Sequence, residues 1–357
     1  MVSSSPPRQE IRFVESRDGT RIATATTGAG HTIVRAAHWL THVSHDPESP
    51  VWKHWVEELS SQNKLVRYDL RGCGLSDREV SDVSFDAWLA DLEAVTEGLT
   101  EPFTLIGMSQ GGALSIAYAL KHPERVGRLV LVGAYAQGTR VRAKNEQDIL
   151  EAETLANLMR LGWGSDLNAF NQVFTNLFIP EGSTEQQSWW RTLEQQTACA
   201  ETAALIFEVL QKIDVLALLK KVTVPTLIFH ARRDARIPFA EGQRLASYIP
   251  NAQFVPLESS NHVLLEDEPA WEAFKRALRS FLPQTSTSVF YQTASNLTPA
   301  ERAVLDLVAK GLGNADIASF LNKSEKTVRN QVSILFDKLG VHTRAELIVR
   351  VLSDPQG

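Results

Sequence analysis

At 357 residues, with 43% hydrophobic and 22% charged side chains, the chain has room for one large, well-cored domain and a small one. A net charge of −6 excludes a basic coat along the whole molecule, so any nucleic-acid contact must come from a local surface. Cys73 and Cys199 stand far apart without ligand spacing, which excludes a disulfide framework and suits a reducing, cytoplasmic setting.

The opening residues 1–10, MVSSSPPRQE, read as a polar tail. Ile11–Ser16 and Arg21–Thr27 flank Asp18-Gly19, a hairpin signal. Short β-rich runs then alternate with helical ones. Strands are expected at Thr32–Ala36, Lys64–Tyr68, Phe103–Ile106, Leu129–Gly133, Thr226–His230 and Gln253–Pro256. Helices are expected at Val51–Leu59, Phe85–Leu99, Gly111–Lys121, Ala240–Tyr248 and Ala270–Phe281. Alternation with strands this apolar implies a mainly parallel sheet covered on both faces. The longest apolar run, around Phe103–Leu120, is broken by Gly107, Ser109, Gly111 and Gly112, so no membrane span is expected.

From Ala134 to Lys221 the alternation stops, and the pattern becomes helical and rich in aromatics, like a cap inserted over the sheet. These aromatics suit either a core or a pocket wall. Pro283–Asn296 is a Ser/Thr-rich linker. Beyond it, Thr298-Pro299-Ala300-Glu301 is a capping box with proline at the first helical position. Gly311 stops that helix, Asn314 and Ser324 can cap the next two, and Thr343 with Glu346 repeats the box for a fourth. From Thr285 onward 8 Lys/Arg face 7 Asp/Glu, or +1, leaving 28 against 35, or −7, for the preceding part. The apolar positions of this tail, from Leu297 to Leu339, define a small bundle core. Lys326, Arg329, Asn330, Ser333 and Asp337 share the remaining face of its third helix. Arginine can take guanine and asparagine adenine, while Lys323 and Lys338 are placed for phosphates. By composition alone a solvated helix face explains the same pattern.

Gly107-Met108-Ser109-Gln110-Gly111 fits G-x-S-x-G between a strand and a helix. A serine on such a turn needs small neighbours, and the Gln110 N–H at the helix start can face a developing oxyanion. A hydroxyl is a poor nucleophile alone, so a histidine must take its proton and an acid must orient the histidine. Asp234 lies just past a strand end and His262 in the loop after the following strand, in the order serine, acid, histidine. A serine so placed serves as nucleophile or as ligand anchor, and both readings stand at this point. His38, His42, His45 and His54 have no accompanying carboxylate or cysteine cluster, so no metal site is expected, and no cofactor.

Residues 11–282 resemble an α/β-hydrolase fold, on Gly107–Gly111, on the turn YDLRGCGLSD (Tyr68–Asp77) and on the segment from Pro123 to Gly133. The resemblance implies a helical cap over about 134–221, Ser109 as nucleophile, Asp234 as acid, His262 as base, and structural roles for Asp69 and Arg71. The family commonly has His-Gly after its third strand, where this chain has Ala37-His38. The second oxyanion donor beside Gln110 is then the Trp39 N–H. Pocket candidates are His38, Trp39, Met108, Trp163, Phe170, Phe174 and Trp189. Residues 297–353 resemble a LuxR/FixJ-type helix-turn-helix domain, on Leu297-Thr298, Gly311, Asn314, Ile317-Ala318, Ser324, Thr327-Val328, Asn330, Lys338-Leu339-Gly340 and Arg344-Ala345-Glu346. That resemblance implies a recognition helix near Ser324–Lys338 and DNA contacts from Lys323, Lys326, Thr327, Arg329, Asn330, Ser333 and Lys338. It also implies dimerisation through the fourth helix on a double-stranded operator. Together the two resemblances imply a bacterial transcription regulator whose hydrolase-like domain senses a small, largely apolar, carbonyl-bearing ligand. The alternative is an active serine hydrolase with a regulatory DNA-binding tail, in one form cleaving its own signal.

Overall fold

The computed structural model describes residues 9–352 apart from 40, 164–167, 284–293 and 295–296, and most of the linker expected over 283–296 thus lies outside the described residues. The chain forms two compact units, Met1–Leu282 and Pro283–Gly357. In the first, eight strands make one sheet: β1 (Glu10–Glu15), β2 (Arg21–Thr27), β3 (His31–Arg35), β4 (Asn63–Tyr68), β5 (Phe103–Met108), β6 (Val126–Val132), β7 (Thr226–Ala231) and β8 (Gln253–Leu257). Their order across the sheet is β1-β2-β4-β3-β5-β6-β7-β8. β1 and β2 form the antiparallel hairpin turning at Asp18-Gly19, β2 runs antiparallel to β4, and every other pair is parallel. β5 and β7 are buried along their whole length, as a parallel sheet covered on both faces requires. The covering helices are α1 (Lys53–Ser60), α2 (Phe85–Thr96), α3 (Gln110–Lys121), and, after the cap, α9 (Phe239–Tyr248) and α10 (Pro269–Phe281).

The cap comprises α4 (Thr139–Arg142), α5 (Glu146–Gly162), α6 (Asn168–Phe178), α7 (Thr184–Thr197) and α8 (Ala200–Lys212). Its two ends are stitched at the base by an antiparallel bridge between Gln137 and Asp214, with Gly138 N donating to the Ile213 carbonyl at 2.8 Å. Among the described residues no helix is long and apolar enough to cross a membrane.

The described residues of the second unit include the helices α11 (Pro299–Ala309), α12 (Asn314–Leu321), α13 (Glu325–Leu339) and α14 (Arg344–Leu352). Val304, Leu305, Val308, Ile317, Val328, Leu335 and Leu347 form their shared core. Thr298 and Glu301 make the reciprocal capping box, and Ser324 caps α13 by accepting from Thr327 N. Asn314 does not cap α12. Gly313 holds that position, the Asp316 carboxylate accepts from its N–H, and the Asn314 side chain accepts from Arg344 instead. Thr343 accepts from Glu346 N, but the Glu346 carboxylate reaches one residue further back, to His342 N.

The sheet and α3 approach most closely at the turn after β5. A Cβ on Gly107 would lie 2.4 Å from the Gly111 carbonyl, and one on Gly112 would lie 2.3 Å from Ala134 Cβ. Backbone cannot yield there as a side chain can. Gly107→Ala is expected to cost about 3 kcal/mol, at the upper end for overpacking, whereas Gly98→Ala, with nothing within 4 Å, should stay within about 0.5 kcal/mol. Urea unfolding of the two variants checks the contrast.

Candidate active site and recognition helix

Three strand ends and one long loop supply the site. The chain leaves β5 into α3 through Ser109, whose φ of 50° and ψ of −124° are rare for a residue with a side chain. Ser109 N donates to the Val132 carbonyl at 3.0 Å, and the Ser109 carbonyl accepts from Gly112 N at 3.0 Å, so both flanks hold the turn. Gln110 opens α3, where the helix offers its N–H no partner.

Asp234 follows β7. Its Oδ1 accepts from Arg236 N at 2.8 Å and from Ile237 N at 2.9 Å, while Oδ2 accepts from His262 Nδ1 at 2.7 Å. Burial alone would raise the Asp234 carboxyl; the adjacent His262 and these bonds outweigh it and hold the group below the usual range. His230, also near this carboxylate, gives its Nε2–H to the Ile237 carbonyl, and burial pushes its ring toward the neutral form. The His262 ring packs over Gly133, where a Cβ would stand 2.9 Å from Cε1. With Nδ1 committed to Asp234, Nε2 is left to the cavity that His262 and Ser109 both line. A base so oriented can take a hydroxyl proton and return it to a leaving group.

That cavity is lined by His38, Trp39, Trp52, Met108, Ser109, Gln110, Val132, Phe178, Trp190, His262 and Val263. His38, Trp39 and Met108 of the expected wall are present. Trp163 and Phe174 are one layer back, Trp163 stacked on the Trp39 ring at 5.4 Å and Phe174 edge-on to it at 6.3 Å. Trp189 is not on the wall. One residue is about a quarter-turn of helix, so α7 presents Trp190 inward and leaves Trp189 half-buried. The Phe170 side chain lies outside the described residues. Trp190 belongs to the aromatic-rich cap that suited a pocket wall or a core alike, whereas Trp52 and Phe178 had no local signature, because separate elements bring them to the cavity.

Two supports of the site are also tertiary. The Phe178 carbonyl at the end of α6 accepts from His262 N at 2.9 Å and Val263 N at 3.2 Å, so the cap itself anchors the histidine loop. On the loop's other side the Leu264 carbonyl accepts from His54 Nε2 and Trp55 Nε1, both at 3.0 Å. The long loop after β3 is pinned by Asp46, whose Oδ2 accepts from Arg35 at 2.8 Å and Arg67 at 2.5 Å, all three side chains fully buried. Asp69 holds the same loop by accepting from Val43 N and Leu75 N, and Arg71 makes a two-bond pair with Asp91.

On α13, Lys326, Thr327, Arg329, Asn330, Ser333 and Lys338 are exposed along one side, and Lys323 just before it is half-buried. Arg329 pairs with Glu325 at 3.0 Å, Lys323 donates to Gln331 at 3.1 Å, and Lys338 pairs with Glu301 of α11. Thr327 shares a hydroxyl contact with the capping Ser324 at 2.7 Å. Exposed pairs of this kind are worth little, so exchanging them for phosphate or base partners costs little.

Residues 40–269 match the family model for the alpha/beta hydrolase fold. The chain belongs to the α/β-hydrolase family. Residues 295–351 match the model for bacterial regulatory proteins of the luxR family, so a LuxR-type DNA-binding domain is fused to the hydrolase domain. The hydrolase domain is similar to the pimeloyl-[acyl-carrier protein] methyl ester esterase of Nitrosomonas europaea, 30% identical over 66% of this chain and 90% of that one. It is also similar to the 2-hydroxymuconate semialdehyde hydrolase of Pseudomonas putida, 29% identical over 63% of this chain and 79% of the other. Among solved structures, an esterase from Exiguobacterium antarcticum shares the fold with a TM-score of 0.64 at 24% identity, covering 75% of this chain and 98% of that one.

The buried histidines of the hydrolase domain set its response to acid. Burial pushes His38 down to about 3, with Arg35 adding to it, and pushes His42 and His54 down to about 4. Unfolded, each would bind a proton near 6.5. The unfolded chain therefore holds more protons in this window, and stability present above about pH 6.5 is lost as pH falls toward 4. Each ring contributes a slope approaching about 1.4 kcal/mol per pH unit. Burial raises Asp69 to about 7 and raises Glu194 as well, which works in the opposite direction. Urea midpoints of the wild type should therefore fall more steeply, or rise less, between about pH 7 and pH 5 than those of a His42→Gln, His54→Gln variant. Equal slopes would show the rings already charged in the folded domain.

Proposed function

We propose that this protein is a ligand-responsive transcription regulator. In this reading the hydrolase domain receives a small, largely apolar, carbonyl-bearing molecule, and the LuxR-type domain binds a double-stranded operator as a dimer. The supporting observation is the Asp234–His262 pair, bonded at 2.7 Å and opening with Ser109 on a small, mostly apolar cavity, in a chain that also carries a DNA-binding domain. A deep pocket with a reactive serine is a selective detector as well as a catalyst.

The chemistry available to the site follows from its parts. Ser109 Oγ adds to the ligand carbonyl carbon as His262 Nε2 takes the hydroxyl proton, and Asp234 stabilises the resulting imidazolium. The oxygen that gains the electron pair is met by the Gln110 and Trp39 N–H groups. His262 then returns its proton to the leaving oxygen, and water releases the acyl group by the same steps in reverse roles. On the DNA side, Arg329, Asn330 and Ser333 face base edges, with Lys326 and Thr327 beside them, and Lys323 and Lys338 contact phosphates.

The second reading, a working hydrolase with a regulatory tail, is favoured by the esterase and hydrolase names of the relatives. Reactivity bears on both. A fluorophosphonate should label the wild-type protein and fail on Ser109→Ala, and His262→Ala should label about a hundredfold more slowly for want of its base. Absence of labelling on folded wild-type protein would reduce the serine to a ligand anchor.

Coupling separates the two readings. A ligand that co-purifies with the protein should shift operator affinity about 5- to 150-fold, and operator must shift ligand affinity by the same factor. Ser109→Ala should keep the shift if the ligand is only held, and lose it while still binding operator if acylation is required. Unchanged operator affinity and dimerisation in the wild type would leave the tethered hydrolase as the function.

A further inference from the structure

The cavity wall carries hydrogen-bonding groups that neither the fold nor the serine chemistry uses. His38 Nδ1 lies 2.7 Å from the Trp39 carbonyl, so that nitrogen carries the proton and donates it. Burial, with Arg35 nearby, keeps the ring neutral, its pKa pushed down to about 3. Nε2 is therefore a lone-pair acceptor. It is buried and has no partner in the protein. The indole N–H groups of Trp39 and Trp52 and the side-chain amide nitrogen of Gln110 are likewise buried without partners. All four residues line the cavity that holds Ser109 and His262.

Such groups cost stability when left unpaired, and proteins rarely leave them so. Elsewhere in this domain most are satisfied: Trp55 donates to the Leu264 carbonyl, Trp163 to the Ala198 carbonyl and Trp190 to Glu194. Others away from the wall are unpaired too, among them the Trp88 indole, His230 Nδ1 and the Tyr68 hydroxyl, but the cavity wall brings four such atoms to one space that a ligand can enter. Apart from Ser109 and His262, these unpaired atoms are one acceptor, at His38, and three donors. The His38 ring packs against Trp52 at 4.8 Å, so the two residues that carry an unpaired acceptor and an unpaired donor are neighbours on the wall. Phe178, Trp190, Val132 and Val263 supply the apolar remainder, and among the described residues no Asp, Glu, Lys or Arg is on the wall. A charged ligand would enter without a counter-charge, at a desolvation cost the wall cannot offset.

We propose that the cavity selects an uncharged ligand that carries, besides its carbonyl, a hydroxyl or N–H donor for His38 Nε2 and an oxygen acceptor for the Trp52 indole. Hydroxy esters and hydroxy lactones are the simplest compounds of this class. The proposal rests on the reading of the cavity as a carbonyl-ligand site and adds the second polar handle to it. Water resting on these atoms would be displaced only by a group that reproduces its bonds, which is what makes the handle selective.

The test uses the full-length Ser109→Ala protein, to prevent turnover, and titration calorimetry with methyl hexanoate, its α-hydroxy and β-hydroxy derivatives, and the corresponding free hydroxy acids. One of the hydroxy esters should bind about tenfold more tightly than methyl hexanoate, the effect of one well-made buried hydrogen bond. The free acids at neutral pH should bind at least about tenfold more weakly than their esters. Adding His38→Leu should bring the ratio of hydroxy ester to plain ester close to one. Adding His38→Gln, which restores an acceptor oxygen, should recover part of the preference and shows that folding is not the cause. Esters that bind without preference for the hydroxyl, or a preference that survives His38→Leu, would overturn this proposal and leave the carbonyl-ligand reading standing. Failure of every ester to bind would remove that reading and this proposal with it.

Discussion

The hydrolase domain is organised around one close approach, between the end of β5 and the start of α3. At Gly107 the two backbones come nearer than any side chain allows, a Cβ there meeting the Gly111 carbonyl at 2.4 Å and Gly112 Cα at 2.6 Å. The strain is concentrated at Ser109, held at φ 50° where a residue with a Cβ is disfavoured by on the order of 1–3 kcal/mol. Surrounding structure carries that cost: bonds to Val132 and Gly112 fix the turn, and the fully buried β5 fixes the strand beneath it. The result is a hydroxyl lifted clear of the sheet, beside a helix start whose N–H groups are unspent.

The partners of that hydroxyl are held by structure distant in sequence. Asp234 and His262 arrive from β7 and β8, but the histidine loop is gripped from both sides, by the Phe178 carbonyl of the cap and by His54 and Trp55 of α1. Cap and base are therefore mechanically linked, since moving α6 strains the loop that carries His262. The loop after β3 has its own clamp in Arg35, Asp46 and Arg67. A buried ion cluster of this kind is a poor source of net stability but fixes geometry, because each charge is tolerated only while its partner stays in place. It supports the segment bearing His38 and Trp39.

Joining such a domain to a LuxR-type reader gives one chain two kinds of selectivity. The cavity wall carries no charged side chain among the described residues and a few unpaired polar atoms. The α13 face presents short polar side chains and exposed ion pairs that are easily exchanged. Neither surface needs the other in order to fold, since each unit has its own core.

Much of this was written locally. The two domains, the succession of strands and helices along the chain, the elbow glycines, the caps at Thr298 and Ser324 and the polar face of α13 all follow from short-range rules. Periodicity, turn chemistry and capping act over a few residues, so sequence alone records them. The pairing of Asp234 with His262 was legible only as an order of residue types; its 2.7 Å bond depends on Gly133 leaving room for the ring. Asn314 was misassigned as a cap because Arg344, thirty residues away, takes its side chain. Trp190 rather than Trp189 reached the cavity because the rotation of α7 is set by what packs behind it. The unpaired nitrogens of His38 and Trp52 had no sequence signal at all. Whether a buried polar atom finds a partner depends on every element around it, and that is decided only when the whole core has closed.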